Sequence, residues 1–258
     1  MKKPASFLLA APLFAVLAIS SLAQASPVEL WTQKDWTVLF EAKGDLNGDG
    51  AEDYVAIIEA PDGENQPENA CEGEEGFSEA PTRRLIIALD EGGTLKAVAD
   101  EPRVVLRRDE GGVFGDPLEG LDIDRGAVVV SHYGGSRWRW GNRLRFRLDD
   151  GEWRLIGMTD FSLDSAYGNI IEYDYNALSG KMKLSVEIGQ DSEEPVCVAC
   201  RIGEECPERN GCYTGSRPAK AGATWFRIGP KPPVTLAGFR CWQDKTGLLR
   251  HLGFQNGQ

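Results

Sequence analysis

From residue 37 onward the chain is written in short alternations of apolar and polar side chains, each broken by Gly, Asp or Asn. That is the signature of half-buried strands joined by tight turns. Such runs cover 37–41, 54–60, 84–89, 95–99, 104–107, 127–132, 138–148, 153–158, 170–175 and 181–188. Turn chemistry between them, "DEGG" at Asp90, "DIDRG" at Asp122, "DDG" at Asp149 and "NALSG" at Asn176, makes sequence neighbours antiparallel. Long stripes of helical period are missing from this part of the chain. The pattern predicts a mainly β protein, an antiparallel meander of hairpins that is partly propeller-like or stacks as a β-sandwich.

The alternation is cleanest in "RWRWGNRLRFRL", 137–148. Successive strand residues point to opposite faces. Trp138, Trp140, Leu144, Phe146 and Leu148 are therefore expected in the core. Arg137, Arg139, Arg143, Arg145 and Arg147 form a stripe on the other face. Arginines in a row can hold carboxylates or phosphates, and Tyr133 with the nearby tryptophans could stack on sugar rings. The competing reading pairs the arginines with acids of neighbouring strands, Asp122, Asp124 and Glu152.

Two regions escape the pattern. Residues 62–82 are acidic and rich in Gly, Pro and Glu, as in a long surface loop. Residues 192–223 carry four cysteines and little hydrophobic pattern, so disulfides organise them where a core cannot. At the N-terminus, Lys2 and Lys3 precede an apolar run that ends in "AQA" at Ala25. A basic head, an apolar middle and a small-residue cleavage site describe an export signal. Residues 1–25 are read as that leader, cleaved after Ala25 and leaving no membrane span in the mature chain. Residues 26–190 are then an antiparallel β domain, and 191–258 a cysteine-rich segment packing on it. The mature protein is placed in the periplasm or outside the cell.

All six cysteines, Cys71, Cys197, Cys200, Cys206, Cys212 and Cys241, fall in the mature chain. An even count in an exported protein reads as up to three disulfides, with the pairing open. Zinc is the sharper alternative for Cys197 and Cys200, but Cys206 and Cys212 lack the close spacing of a second zinc pair. The charge supports this setting. With 28 Lys and Arg against 40 Asp and Glu the chain carries −12, and losing Lys2 and Lys3 makes it more negative. Nucleic acid and anionic membrane surfaces are poor partners for such a protein.

Charge concentrates in one stretch, "KGDLNGDGAEDYVAIIEAP", 43–61. Counting from Asp45, positions three, five, seven and nine are Asn47, Asp49, Ala51 and Asp53. Oxygen ligands at alternate positions plus a backbone carbonyl suit a hard cation, and Gly48 and Gly50 allow the curl. An EF-hand requires a Glu at position twelve, where this chain has Ala56. The stretch "FEAKGDLNGDGAEDYVAIIEAP" instead resembles a single FG-GAP or VCBS-type repeat, the calcium-loop unit of integrin-like propeller blades. Ala60-Pro61 echoes the family's closing residues, with Glu59 in place of its glycine. The resemblance implies Ca2+ held by the side chains of Asp45, Asn47, Asp49 and Asp53 and the carbonyl of Ala51. A broader stretch, "GGVFGDPLEGLDIDRGAVVVSHYGGSRWRW", is similar to uncharacterised exported bacterial proteins that carry one such loop.

Reaction groups are sparse. The two histidines are His132 and His251, and no G-x-S-x-G elbow, phosphate loop, dinucleotide fingerprint or H-E-x-x-H motif occurs. The expectation is a calcium-binding, non-catalytic binding or envelope-associated module. Its candidate ligand-binding residues are His132, Tyr133 and the five arginines. Its partner would be a protein, a glycan or an anionic small molecule. A secreted hydrolase using His132 or paired carboxylates is the alternative.

Overall fold

Turn residues set the hairpins. Arg125 with Gly126, and Asp150 with Gly151, stand at positive φ (51° and 73°; 51° and 80°). Paired positive φ is the two-residue turn whose twist matches the strands it joins. In the computed structural model the described residues are 35–63, 80–102, 104–206, 208, 211–229, 231–239, 249 and 251–255. The leader (1–25), Cys71, Cys241 and most of the acidic segment 62–82 lie outside them.

The strands, in chain order, are β1 (Thr37–Gly44), β2 (Asp53–Glu59), β3 (Arg83–Asp90), β4 (Leu95–Glu101), β5 (Leu118–Asp124), β6 (Ala127–Gly135), β7 (Trp138–Asp149), β8 (Glu152–Asp164), β9 (Asn169–Asn176), β10 (Lys181–Glu187), β11 (Cys197–Ala199), β12 (Ser216–Pro218) and β13 (Gly222–Arg227). One sheet is the four-stranded meander β1-β2-β3-β4. A second runs through seven strands, β13-β10-β9-β8-β7-β6-β5, and β11-β12 form a short ribbon. Each of these pairings is antiparallel. The expected architecture, mainly β and antiparallel with a disulfide-held irregular segment, is the one observed, and among the described residues no sheet closes into a barrel.

Both large sheets face one core. Val55, Ile57, Leu85 and Ile87 of the first meet Val128, Val130, Leu144 and Phe146 of the second. β2 is also buried on its other face, where Tyr54, Ala56 and Ile58 cluster with Ile86 of β3. Burial on both faces explains why β2 reads as a continuous apolar run. The sheets meet along β1 and β5, where Gly44 lies against Ile123. Past residue 190 the chain adds β13 to the edge of the seven-stranded sheet. Val196, Val198, Leu252 and Phe254 join the shared core. Cys197 bonds to Cys212 and Cys200 to Cys206. These thiols close disulfides, so a zinc site at Cys197 and Cys200 is not formed.

Three local expectations change. Residues 104–107 are buried but form no strand. Side chains take up the Leu106 backbone: its amide donates to His132 Nε2, and its carbonyl accepts from Arg83 Nη1. Residues 118–124 pair as β5 although their alternation is weak, and β13 was not legible at all. Trp138, expected in the core, is 58% exposed beyond its edge, with the Arg137 guanidinium 5.1 Å above its ring.

Candidate functional site

The acidic loop lies between β1 and β2, with Gly48 and Gly50 at φ 82° and 84°. Its side chains hold its own backbone. Asp45 accepts from the amides of Gly48 (2.6 Å) and Gly50 (3.0 Å), Asn47 Oδ1 from Asp49 (2.9 Å), and Asp49 Oδ1 from Ala51 (2.7 Å). Asn47 Nδ2 donates to Asp49 Oδ2. The Ala51 amide, with Asn47 after it, holds the Asp49 carboxyl below the usual carboxylate range. Asp53 behaves differently. It is fully buried at the start of β2, and its two oxygens accept from the amides of Leu46 (2.7 Å) and Asp90 (2.9 Å). It therefore clamps the loop to the end of β3.

These donors are all oxygens, the kind a hard cation takes, and a carboxylate oxygen holding one N–H keeps a lone pair. In kind the residues fit calcium. In position they are not gathered: among the described residues no group of three or more His, Cys, Asp or Glu side chains stands close enough to hold a metal.

The second site is the face of the seven-stranded sheet turned away from the core. Strand register builds it in rows. One row reads Tyr133, Gly141, Phe161, Glu172 across β6 to β9. The next reads Ser131, Arg143, Thr159, Asp174, and a third Val129, Arg145, Gly157, Asn176. Two adjoining clefts of about 550 and 360 Å³ share Glu119, Ser131 and Arg143.

Partners divide the arginine stripe. Arg137 is bidentate to buried Asp164 (both bonds 2.8 Å), which raises the arginine's pKa, and also lies over Tyr167. Arg139 donates to the Tyr133 hydroxyl and stacks over Phe114. Arg143 and Arg145 reach only hydroxyls, Ser131 Oγ at 3.4 Å and Thr159 Oγ1 at 3.3 Å. Neither has a carboxylate within ion-pair reach among the described residues. Arg147 stands opposite Arg154, and that arginine holds Asp149, Asp150 and Glu152. The cross-strand acids expected for the stripe thus go elsewhere: Glu152 to Arg154, and Asp124 to Arg125.

His132 belongs to the opposite side of the sheet from Tyr133 and the arginines. It is 2% exposed, Nδ1 is 3.0 Å from Asn142 Oδ1, and Nε2 accepts the Leu106 amide. The Leu106 N–H fixes Nε2 as acceptor, so Nδ1 carries the proton. Burial pushes its pKa down to about 4, the Asn142 bond opposing and nearby Arg83 assisting. Both ring nitrogens are spent on structure. Glu119 and Glu172 bracket the aromatic row at β5 and β9, four strand spacings or about 19 Å apart along the backbone. Acid–base pairs that cleave glycosides stand about 5–9.5 Å apart.

Sequence reasoning missed two features. Phe161 rests on bare backbone: a Cβ on Gly141 would stand 2.4 Å from its Cε1. A glycine opposite an aromatic in paired strands was the available signal. Arg83 is fully buried, held by Asp116 (2.7 and 2.6 Å), Glu59 (2.7 Å) and the Leu106 carbonyl. Nothing in its local sequence sets it apart from Arg84.

Comparison with known protein families, characterised proteins and solved structures finds no match to this chain. Fold and site define a class only: a two-sheet antiparallel β protein with an acidic hairpin loop and an open sheet face bearing ion-unpaired arginines. Among the described residues no helix is long and apolar enough to cross a membrane.

Proposed function

We propose that the chain is an exported, calcium-stabilised β protein that binds an anionic ligand, without chemistry, on the open face of its seven-stranded sheet. One observation carries the reading: Arg143 and Arg145 line clefts with no carboxylate in ion-pair reach, while Arg137 and Arg154 are ion-paired. Guanidinium groups held beside a cleft with unused donors are ready to fork onto a carboxylate or phosphate. The leader pattern of residues 1–25 and the two disulfides favour an oxidising compartment.

Succinate tests the site, because its two carboxylates suit guanidiniums about 7 Å apart on alternate strand positions. In an NMR titration of the mature protein the Arg143 and Arg145 Nε–H signals move first, and Arg143→Gln/Arg145→Gln removes the response. Unmoved arginine signals at saturating succinate would end the proposal.

Calcium would be held by Asp45, Asn47, Asp49 and the Ala51 carbonyl, with Asp53 contributing through lone pairs left by its two amide bonds. It supplies charge neutralisation and bracing, and stabilises the fold by mass action. Calcium raises the melting temperature, and Asp45→Ala/Asp49→Ala abolishes that rise. Asp53→Ala differs, because the two amides it orphans meet a buried carboxylate, whereas the amides held by Asp45 and Asp49 are open to water. It lowers stability even in chelator, by about 1–3 kcal/mol for each orphaned amide. Equal behaviour of the two variants in chelator would contradict this division of roles.

A further inference from the structure

Resting on the reading of the open face as an anion site, we infer that its ligand is an acidic saccharide, a sugar carrying a carboxylate. Aromatic rings lie beside the arginines. Phe114, Tyr133 and Phe161 form one line of rings, with centroids 5.6 Å and 6.2 Å apart. Phe161 lies on β8 two residues from Thr159 on the same face, and it packs onto the backbone at Gly141. The same cleft that exposes Phe161 also exposes Arg143, Ser131 and Thr159.

A simple inorganic anion uses only the guanidinium. An aromatic platform adds nothing for phosphate or sulfate, but it suits the apolar face of a pyranose ring. Gly141 and Arg143 are two residues apart on one strand face, so platform and guanidinium are one pleat apart, about 7 Å. That is roughly the reach from the centre of a stacked sugar ring, through its exocyclic carboxylate, to a hydrogen-bonded guanidinium. Ser131 and Thr159 flank Arg143 with hydroxyls.

The acids around the cleft select further. Glu119 and Glu172 line it with no hydrogen bond or ion pair among the described residues, and Asp122 and Asp124 line its extension. Carboxylates at the rim accept hydrogen bonds from sugar hydroxyls. They repel a polyphosphate, which brings no hydroxyl donors to offset the repulsion. An anion of low charge density with many hydroxyl donors satisfies both sets of groups. The two adjoining clefts together admit more than one sugar unit.

Calorimetric titration of the calcium-loaded mature protein separates the alternatives with three probes: tri-galacturonate, its methyl ester and succinate. Tri-galacturonate binds at least about tenfold more tightly than succinate, and the ester loses at least about tenfold relative to the acid. Phe161→Ala weakens the saccharide and leaves succinate unchanged. Arg143→Gln, at an exposed position without an ion pair, weakens acid and succinate alike and spares the ester. Equal affinity for tri-galacturonate and succinate, unaffected by Phe161→Ala, overturns the saccharide and leaves the anion site standing. Binding of no probe overturns both. Tighter binding of the ester than of the acid also overturns the inference, because the platform then acts without the arginine.

Discussion

His132 shows how far a single residue can be read from sequence. The sequence offers it as a ligand-binding or hydrolytic group; the fold instead uses it as a tie between β6 and residues 104–107. The thermodynamic consequence can be measured. The folded pKa near 4 lies below the ordinary value of 6.5. Between those limits the unfolded chain takes up a proton that the folded chain refuses, so stability is complete above pH 6.5 and drains away as pH falls toward 4. The span corresponds to about 3 kcal/mol. Chemical denaturation across that range should give His132→Gln a shallower pH dependence than wild type by one proton. Identical slopes would mean that the imidazole titrates normally. The arginines and the loop acids were legible as residues because alternation and spacing mark them. Their partners were not. Whether Asp53 faces a cation or two amides, and which arginine meets a carboxylate, depends on contacts between strands distant in sequence.

At the scale of elements, hairpins dominated by alternation declared themselves, and β7 was readable almost residue by residue. Failures fall where another interaction replaces the ladder. Residues 104–107 have the composition of a strand, but Leu106 gives its backbone bonds to Arg83 and His132, and Arg107 bonds Glu110. Trp138 follows the alternation yet lies past the end of the core that would have covered it. The tip of the β6–β7 hairpin is built from glycines in backbone contact. The Gly135 amide donates to Gly111, and the Val113 amide to Gly135. A Cβ on Gly135, at φ 109°, would stand 2.1 Å from the Trp138 carbonyl oxygen. Gly135→Ala should therefore cost about 1–3 kcal/mol through strain and a displaced backbone. Hydrogen exchange should show lost protection at Val113 and Gly135 while β9 and β10 stay protected. Unchanged stability would mean that the tip carries no rigid contact.

For the whole molecule, the division of labour is between one sheet face that fills a core and another that is left open. Two sheets around a shared core, a disulfide-held segment and a clamped acidic loop make a rigid scaffold. Its surface chemistry then decides the function. Arg137 and Arg154 serve structure and Arg143 and Arg145 the ligand, although Arg137, Arg143 and Arg145 alternate along or beside the same strand. The most direct test makes two double variants, Arg143→Gln/Arg145→Gln and Arg137→Gln/Arg154→Gln, and measures melting temperature and succinate affinity for each. The account predicts that the first keeps its melting temperature and loses binding, while the second melts earlier and still binds. The reverse pattern, or loss of binding only in the second variant, would contradict it.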